Sequence, residues 1–286
     1  MNGIRQFSRF SVALNKANPL HQLNPKHRSS FQQPLPKVKE IQAINAFFNN
    51  CLIKLNWTTA KFEDIPGELE RQKKSEALQE YTTNNPTETT AKPKTSLPEI
   101  LFIGKTNVGK SSLINSLLTN IKDKNPPEIV FASKKAGFTQ TLNCFNVANR
   151  FKLIDSPGYG MKGTSQQGEQ ILKYMQNRNE LKRVYLLVGA KEGFNDNDYM
   201  IIDLLQSLGL PFEIVFTKVD KLKSESQLLT NLQELNEQFP GMDYSLIFTN
   251  TEITKKFEKK LGIEELRVSI FQTCGLDYNV KPLKPT

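Results

Sequence analysis

Residues 100–115, ILFIGKTNVGKSSLIN, place an apolar run, a glycine-containing loop and a helical pattern directly one after another. The four apolar residues at the start are typical of a short strand buried on both faces. Gly104 to Ser111 match the pattern G-x-x-x-x-G-K-[ST], and apolar residues recur at helical spacing from Leu113 onward. A chance match is the alternative, but a flanking strand and helix are the context in which such a loop binds phosphate groups. The segment therefore predicts an α/β fold built around a phosphate-binding loop.

The chemistry of phosphate binding explains these residue types. Glycines let the backbone curl so that its N–H groups point at a polyphosphate, and the helix dipole adds attraction. Lys110 is expected to reach the terminal phosphates, and the Ser111 hydroxyl is expected to bind Mg²⁺. The predicted nucleotide-binding residues of this loop are Gly104, Lys105, Thr106, Asn107, Val108, Gly109, Lys110, Ser111 and Ser112.

Short apolar strands alternate with amphipathic helices from Glu99 onward. The pattern predicts strands at 100–103, 142–148, 151–154, 184–188, 212–217 and 244–248, and helices at 110–121, 165–180, 196–208, 224–238 and 263–272. Alternation of this kind indicates a mostly parallel sheet covered by helices, with ligands bound at the carboxyl ends of the strands.

A second motif, Asp155-Ser156-Pro157-Gly158, directly follows the strand predicted at 151–154. In a phosphate-binding fold, an acid at this strand end can hold Mg²⁺ through water, and the glycine N–H can meet a γ-phosphate. D-x-x-G alone is a common turn, so its place at a strand end after the phosphate-binding loop is what favours the functional interpretation.

The segment KKAGFTQT, residues 134–141, lies between these two motifs. A loop of this kind can bring Thr139 to the metal when a γ-phosphate is present. A polar loop without a role is the alternative. The predicted nucleotide contacts of this segment are Gly137, Phe138, Thr139, Gln140 and Thr141.

A third motif, Thr217-Lys218-Val219-Asp220, follows the apolar run 212–216. A carboxylate at Asp220 can accept both the N1–H and the N2 amine of guanine, a pair of donors that adenine does not offer, and the Lys218 stem can lie along the base. This favours GTP over ATP. At the end of the next strand a backbone N–H could reach guanine O6, so three further candidates are Phe248, Thr249 and Asn250.

The basicity of the chain is concentrated at its amino terminus. Residues 1–39 contain seven basic residues and no acid, and so account for +7 of the net charge of +9. Ile4, Phe7, Phe10 and Leu14 share one side of a helix, which predicts a mitochondrial presequence and a location in the mitochondrial matrix. A disordered basic arm that binds RNA is the alternative.

No apolar run approaches the ~18–20 residues of a membrane span, so we do not expect the chain to be an integral membrane protein.

Histidine and cysteine usage excludes several classes of enzyme. Both histidines, His21 and His27, lie in the basic tail. If the tail is removed, Ser-His-Asp catalysis, Cys-His catalysis and histidine-ligated metal sites are excluded. The cysteines Cys51, Cys144 and Cys274 form no C-x-x-C motif, and we expect them to be reduced structural residues.

Four regions are predicted along the chain. They are a presequence or basic tail at 1–39, an amino-terminal extension and disordered linker at 40–97, a GTPase domain at 98–275 and a carboxyl-terminal tail at 276–286. Within the extension, residues 40–57 suggest a helix or strand-flanking segment that packs on the main domain, whereas 66–97 has linker composition.

Taken in order, the motifs resemble the EngB (YihA) family of TRAFAC-class GTPases, which are related to translation factors. The resemblance covers nearly all of residues 98–273, and the segments that carry it are PEILFIGKTNVGKSSLIN (98–115), GFTQTLNCF (137–145), LIDSPGYG (153–160), FTKVDKL (216–222) and GIEELR (262–267). It implies a three-layer Ras-like P-loop fold, hydrolysis of GTP to GDP and phosphate, and GTP-dependent work in assembling the large ribosomal subunit. It also implies Ser111 and Thr139 as direct magnesium ligands and Asp155 as an indirect one.

Departures from the family pattern concern switching and hydrolysis. The chain has Ala136-Gly137-Phe138-Thr139-Gln140 where the family has Pro-Gly-Arg-Thr-Gln, Gly189-Ala190-Lys191 in place of Asp-Ala-Arg, and Thr249-Asn250 in place of Ser-Ser. Ras-type enzymes orient the attacking water with a Gln after D-x-x-G, where this chain has Tyr159. We therefore expect slow intrinsic hydrolysis, and hypothesise activation by a monovalent cation or by a partner. The resemblance implies that Asn107 helps to hold K⁺ in the first case. The catalytic group is then Lys110, Asn107 and Thr139.

The expected partners are GTP or GDP and the RNA and proteins of the mitochondrial large ribosomal subunit, bound by a monomer. Lysine runs at 122–124, 134–135, 255–260 and 281–284 either contact RNA phosphates or form a solvated surface. Two alternatives remain open. One is a GTPase that acts at a membrane or in organelle or cell division, and the other is an ATP-using kinase or transferase, which Asp220 disfavours.

Overall fold

The structure is a computed structural model that describes residues 36–73, 96–123, 127–130, 141–160, 165–253 and 257–281. Several predictions fall outside these ranges. They concern the presequence, the linker beyond residue 73, the segment 131–140 with Gly137, Phe138, Thr139 and Gln140, and parts of the lysine runs.

A seven-stranded sheet forms the centre of the molecule. Its strands are β1 (Ile53–Thr59), β2 (Glu99–Gly104), β3 (Leu142–Val147), β4 (Phe151–Asp155), β5 (Leu181–Gly189), β6 (Phe212–Thr217) and β7 (Ser245–Phe248), in the order β1-β3-β4-β2-β5-β6-β7. The β1–β3 and β3–β4 pairs are antiparallel, and every other pair is parallel. The fully buried run of β2 explains its central place, because an interior strand of a sheet covered on both faces needs apolar side chains on both.

Helices with both ends in the described part of the chain cover the two faces of the sheet. They are α1 (Val38–Asn50), α2 (Lys110–Leu118), α3 (Ser165–Asn177), α4 (Asp196–Ser207), α5 (Glu225–Gln238) and α6 (Ile263–Thr273). One apolar core joins the sheet to α3, α4 and α5, and a second joins it to α1, α2 and α6. The predicted three-layer α/β fold with a mostly parallel sheet is therefore confirmed.

The extension ahead of the phosphate-binding loop contributes to both layers. Strand β1 lies at the edge of the sheet, where Ile53 pairs with Val147 and Thr59 with Leu142. Helix α1 buries Phe47 and Phe48 in the second core, with the Phe47 ring edge-on to Phe271 of α6. The sequence suggested a packing segment at 40–57 but no strand of the sheet there. The domain boundary at residue 98 remains a prediction, and the hydrogen-bonded sheet begins at residue 53.

A buried cluster of charges attaches residues 62–73 to the core. Arg178, just after α3, donates from Nε to Glu99 of β2 at 2.7 Å, and its guanidinium also pairs with Glu68. Glu180 accepts hydrogen bonds from Arg71 Nη1 at 3.0 Å and from Ser96 Oγ at 2.6 Å. Each buried charge thus has an opposite charge beside it, which offsets the cost of its burial.

No helix in the described part of the chain combines the length and the apolar character needed to cross a membrane.

Candidate functional site

The phosphate-binding loop connects β2 to α2. Gly104 ends β2 so close to its neighbours that a Cβ there would lie 2.9 Å from Leu187 Cβ and 2.9 Å from Val108 Cγ1. Gly109 has φ +106° and is the N-cap of α2, a conformation that glycine adopts without strain. Asn107 has φ 65°, in the left-handed region that asparagine tolerates better than most residues. These conformations give the sharp curl that a loop cradling phosphates needs.

Lys110, the first residue of α2, contacts the acid of the second motif. Its Nζ lies 2.5 Å from Asp155 Oδ1, and the two side chains are 8% and 0% exposed. Ser111 is half-buried and Ser112 exposed at the same helix end. The predicted lysine and the predicted metal-binding acid are thus brought into direct contact.

The remaining oxygen of Asp155 bears on the magnesium prediction. Oδ2 is buried and, within the described ranges, has no hydrogen-bond partner. No cluster of three or more His, Cys, Asp or Glu suited to a metal is present among the residues described. A single carboxylate and a single hydroxyl, those of Asp155 and Ser111, suit Mg²⁺ chemically, because this ion usually keeps several waters and takes few protein ligands. The residues present therefore fit the ion, and the assignment of Ser111, Thr139 and Asp155 as its ligands stays a prediction.

The second motif runs along the phosphate-binding loop. The Thr106 N–H donates to Tyr159 O at 3.0 Å, and the Tyr159 N–H donates to Gly104 O at 3.3 Å. Gly158 lies so close to the loop that a Cβ there would be 2.8 Å from Thr106 Cα. Ser156 and Pro157 are buried, and the Ser156 N–H donates to Phe102 O at 3.3 Å. The loop and the D-S-P-G segment consequently form one hydrogen-bonded surface.

The third motif is joined to the same loop from the other side. Thr217 Oγ1 donates to Val108 O at 2.6 Å, and Lys218 Nζ donates to Asn107 O at 2.6 Å. Lys218 has φ 56°, which turns the chain out of β6 and into the short 3₁₀ turn Val219–Lys221. Asp220 Oδ2 is buried 3.2 Å from Lys221 Nζ, without hydrogen-bond geometry. The carboxyl ends of β2, β4 and β6 thus bring three motifs to one edge of the sheet.

The fourth candidate segment, residues 248–250, uses its polar groups in hydrogen bonds to other parts of the protein. Thr249 donates its N–H and its Oγ1 to Phe216 O, at 2.7 and 3.0 Å. Asn250 donates its N–H to Leu261 O at 3.2 Å and its Nδ2 to Glu252 O at 2.8 Å. The Val219 N–H donates to Thr249 O at 3.2 Å, so the segment supports the turn that carries Asp220. Contact of Phe248, Thr249 or Asn250 with guanine remains a prediction.

Of the segment 134–141, which contains Thr139, the structure describes Thr141. Its Oγ1 donates to Asn143 Oδ1 at 3.2 Å.

One hydrogen bond at the site was not predicted from the sequence. The Tyr159 hydroxyl donates to Asp198 Oδ1 in the first turn of α4. The spacing Asn195-x-x-Asp198 indicates a helix start, but it says nothing about a tyrosine elsewhere in the chain.

Comparison with known proteins agrees with this arrangement. Residues 99–218 match a family model described as "50S ribosome-binding GTPase". The chain is 37% identical over 243 residues to "MIOREX complex component 8" of Saccharomyces cerevisiae, which covers 84% of this chain and 76% of that protein. It is also 37% identical over 181 residues to "Probable GTP-binding protein EngB" of Lactobacillus helveticus, covering 60% of this chain and 89% of that protein.

A solved structure titled "Crystal structure of a probable GTP-binding protein engB" has a TM-score of 0.47 and 24% sequence identity, and covers 62% of this chain and 98% of that chain. The chain is also 35% identical over 183 residues to "Probable GTP-binding protein EngB" of Rickettsia rickettsii, covering 62% of this chain and 80% of that protein. The identities with the EngB proteins of Lactobacillus helveticus and Rickettsia rickettsii extend over 89% and 80% of those proteins, and the three motifs meet at one edge of the sheet. The chain belongs to the EngB family of GTPases.

Proposed function

We propose that this GTPase acts in assembly of the mitochondrial large ribosomal subunit or in mitochondrial translation, by binding a mitochondrial ribosomal particle in one nucleotide state. The observation that carries the proposal is the match of residues 99–218, which include the first two motifs at the site and the start of the third, to the family described as "50S ribosome-binding GTPase". The similarity to a protein named as a component of the MIOREX complex is consistent with work inside a larger assembly. The acid-free basic tail supports a mitochondrial location, in the matrix.

The site supports a separate role for each of these residues in nucleotide binding. Lys110 holds the β- and γ-phosphates, the Gly158 N–H meets the γ-phosphate, and the Asp220 carboxylate accepts the two donors of guanine. Ser111 and Thr139 would hold Mg²⁺ directly and Asp155 would hold it indirectly, and the ion would supply positive charge beside the phosphates. Lys218, bonded to Asn107 O, ties the guanine side of the site to the phosphate side.

Intrinsic hydrolysis is proposed to be slow. The residue after D-x-x-G is Tyr159, and its hydroxyl is already used as a donor to Asp198. A tyrosine held in this bond does not replace the glutamine that orients the attacking water in Ras-type enzymes. A cation or a partner must then supply the missing stabilisation, and Asn107 is the residue proposed to hold K⁺.

The potassium proposal is tested by turnover of the purified protein in K⁺ and in Na⁺. We expect faster turnover in K⁺, and loss of that difference in Asn107→Gly, because glycine accepts the φ of 65° at this position while removing the side chain. Equal turnover of the unmodified protein in the two salts would exclude a role for K⁺.

The ribosome proposal is tested by gradient sedimentation of mitochondrial lysate that contains tagged protein, with GDP or a non-hydrolysable GTP analogue. We expect analogue-dependent migration with the large subunit. Lys110→Ala and Asp220→Asn should both remove it, whereas Lys182→Ala, at an exposed lysine of β5, should not. Two nucleotide-site variants are used because Lys110→Ala also breaks a buried ion pair. If the protein stays at the top of the gradient with every nucleotide, the ribosome proposal is wrong and a role at a membrane or in division becomes the better hypothesis.

A further inference from the structure

Asp198 connects the start of α4 to the D-S-P-G-Y segment. Asp198 is 2% exposed. Oδ2 accepts a hydrogen bond from the Asn195 N–H at 2.9 Å, as in a helix capping box, and a second from Asn195 Nδ2. Oδ1 accepts the hydroxyl of Tyr159. One buried carboxylate thus caps a helix and anchors a residue of the nucleotide site.

The protonation of both groups suits this bond. Burial, with the charge of Asp198 and the hydrogen bond to it, raises the pKa of Tyr159 well above its usual value, so its hydroxyl keeps the proton and donates. Burial also raises the pKa of Asp198, while the hydrogen bonds from Tyr159 and Asn195 and the charge of Lys105 act in the opposite direction. Lys105 belongs to the phosphate-binding loop, so the charge near Asp198 comes from the nucleotide site itself.

Tyr159 is held at three points. Its N–H and its carbonyl bond to Gly104 and Thr106 of the phosphate-binding loop, and its hydroxyl bonds to Asp198. Gly158 directly precedes it, against Thr106, and no backbone hydrogen bond described in the structure uses the Gly158 N–H. Because a peptide between fixed neighbours has little rotational freedom, the anchor on the tyrosine ring also limits the direction of the Gly158 N–H.

We propose that Asp198 is a positioning residue for GTP hydrolysis, which acts through the hydroxyl of Tyr159 to hold Gly158 against the phosphate-binding loop. The inference rests on the proposed contact between the Gly158 N–H and the γ-phosphate. GDP has no γ-phosphate, so the bond contributes to binding of GTP and not to binding of GDP. A purely structural bond would affect the two nucleotides equally.

The test compares purified full-length protein with Tyr159→Phe, which removes only the hydroxyl and leaves the cap of α4 intact. We expect affinity for a non-hydrolysable GTP analogue to fall about 5- to 10-fold, as for loss of one hydrogen bond, with kcat reduced and GDP affinity unchanged. Asp198→Ala, which removes the acceptor of this bond, should cause a loss of similar size. The double variant should lose no more than either single variant, because the two changes break the same bond. Tyr199→Phe, the same chemical change on the neighbouring residue of α4, is the matched control.

Two results would overturn the inference. One is Tyr159→Phe with unchanged kcat and unchanged preference for the analogue over GDP. The other is an equal loss of affinity for both nucleotides together with a lower melting temperature, which would make the bond structural. Gly158→Ala tests the proposed γ-phosphate contact separately from the role of the Tyr159–Asp198 bond. If it too leaves analogue binding unchanged, the role of Gly158 is wrong and the inference fails with it. The sedimentation experiment is independent of all these variants.

Discussion

Nζ of Lys110 and Oδ1 of Asp155 lie 2.5 Å apart in a buried ion pair at the mouth of the phosphate-binding loop. Each group is expected to have a different partner when nucleotide is bound, because the lysine then faces phosphates and the aspartate faces Mg²⁺. The pair keeps both charges compensated until that exchange. Breaking one half of a buried pair leaves an uncompensated charge, which costs more than removing the pair entirely.

The first prediction concerns the stability of the nucleotide-free protein when one member of this ion pair is removed. Lys110→Ala should lower the free energy of unfolding of the nucleotide-free protein by about 3–5 kcal/mol, because Asp155 is left uncompensated. Adding Asp155→Asn should restore part of the loss. Urea unfolding measures both, with Lys182→Ala as control. A double variant less stable than Lys110→Ala would show that the pair is not the source of the effect.

The second prediction concerns guanine recognition by Asp220. Asp220→Asn should weaken GTP binding by about 10- to 100-fold, because a charged acceptor of two hydrogen bonds is lost. It should at the same time improve binding of xanthosine triphosphate, whose carbonyl at position 2 accepts from the asparagine amide. Competition binding measures the affinity of the variant for both nucleotides. Weaker binding of both nucleotides to the same degree would place Asp220 outside the base site.

The third prediction concerns the close approach of Gly158 to the phosphate-binding loop. A Cβ at Gly158 would lie 2.8 Å from Thr106 Cα and 3.0 Å from Thr106 N, and backbone cannot move aside as a side chain can. Gly158→Ala should therefore separate the two segments and lower affinity for a GTP analogue while retaining binding of GDP. The matched control is Gly168→Ala in α3, where a Cβ meets nothing within 4 Å. That control should bind normally and be slightly more stable, by about 0.5–1 kcal/mol.

The fourth prediction concerns Arg267, which is 0% exposed. Its guanidinium donates to Leu117 O at 2.9 Å and to Thr119 O at 2.6 Å, which caps the end of α2. It also donates to Asn45 Oδ1 of α1 at 3.0 Å. Arg267→Met fills the space but leaves these acceptors without donors, at a cost of about 1–3 kcal/mol for each buried group. Urea unfolding should show the loss, whereas Arg150→Met, at an exposed arginine, should change stability by less than about 0.5 kcal/mol. Similar curves for the two variants would contradict the capping role.

The fifth prediction concerns acid stability. Burial acts to raise the pKa of Glu180, but the hydrogen bonds from Arg71 and Ser96 and the charge of Arg178 outweigh it and lower the pKa from 4.5 to about 2. A depressed carboxylate pKa stabilises the fold above the unfolded-state value, and the stabilisation is lost as the pH falls from about 4.5 toward 2. Its size is at most about 3 kcal/mol.

Urea unfolding of the protein and of Glu180→Gln at pH 7 and pH 3 measures this contribution. The variant should be less stable at pH 7, and the difference should shrink at pH 3. A difference that does not depend on pH would mean that the Glu180 carboxylate is not the group that titrates.

The sheet around the nucleotide site could be predicted closely, because its strands are short apolar runs bounded by polar motifs. The run predicted at 100–103 is the centre of β2, Glu99–Gly104, and β6 has the predicted bounds. The helix predicted to end at 121 ends at Leu118, where Arg267 caps it from a distant part of the chain. Local periodicity contains no information on such a contact.

Strand β1 could not be predicted from the sequence, for a different reason. Its burial alternates only weakly, with three consecutive exposed residues that include Leu55, so the sequence lacks the clear pattern of a half-buried strand. Its partner β3 lies beyond the phosphate-binding loop, and Trp57 pairs with Cys144 across a bulge. The bond between Tyr159 and Asp198 was missed for a similar reason, since the two residues are 39 positions apart and each fits its own local motif.

The packing of α1 against α6 has a consequence for the order in which the chain folds. Asn45 and Arg267 are 222 positions apart, so their contact closes a loop that spans most of the protein. Closing a longer loop costs more entropy, and contacts between distant residues slow folding. During synthesis α1 emerges early, and its apolar face is completely covered only after α6 has been made. The first helix of the described chain is thus among the last to be fully packed, because the Phe47 ring lacks its partner Phe271 until α6 is present.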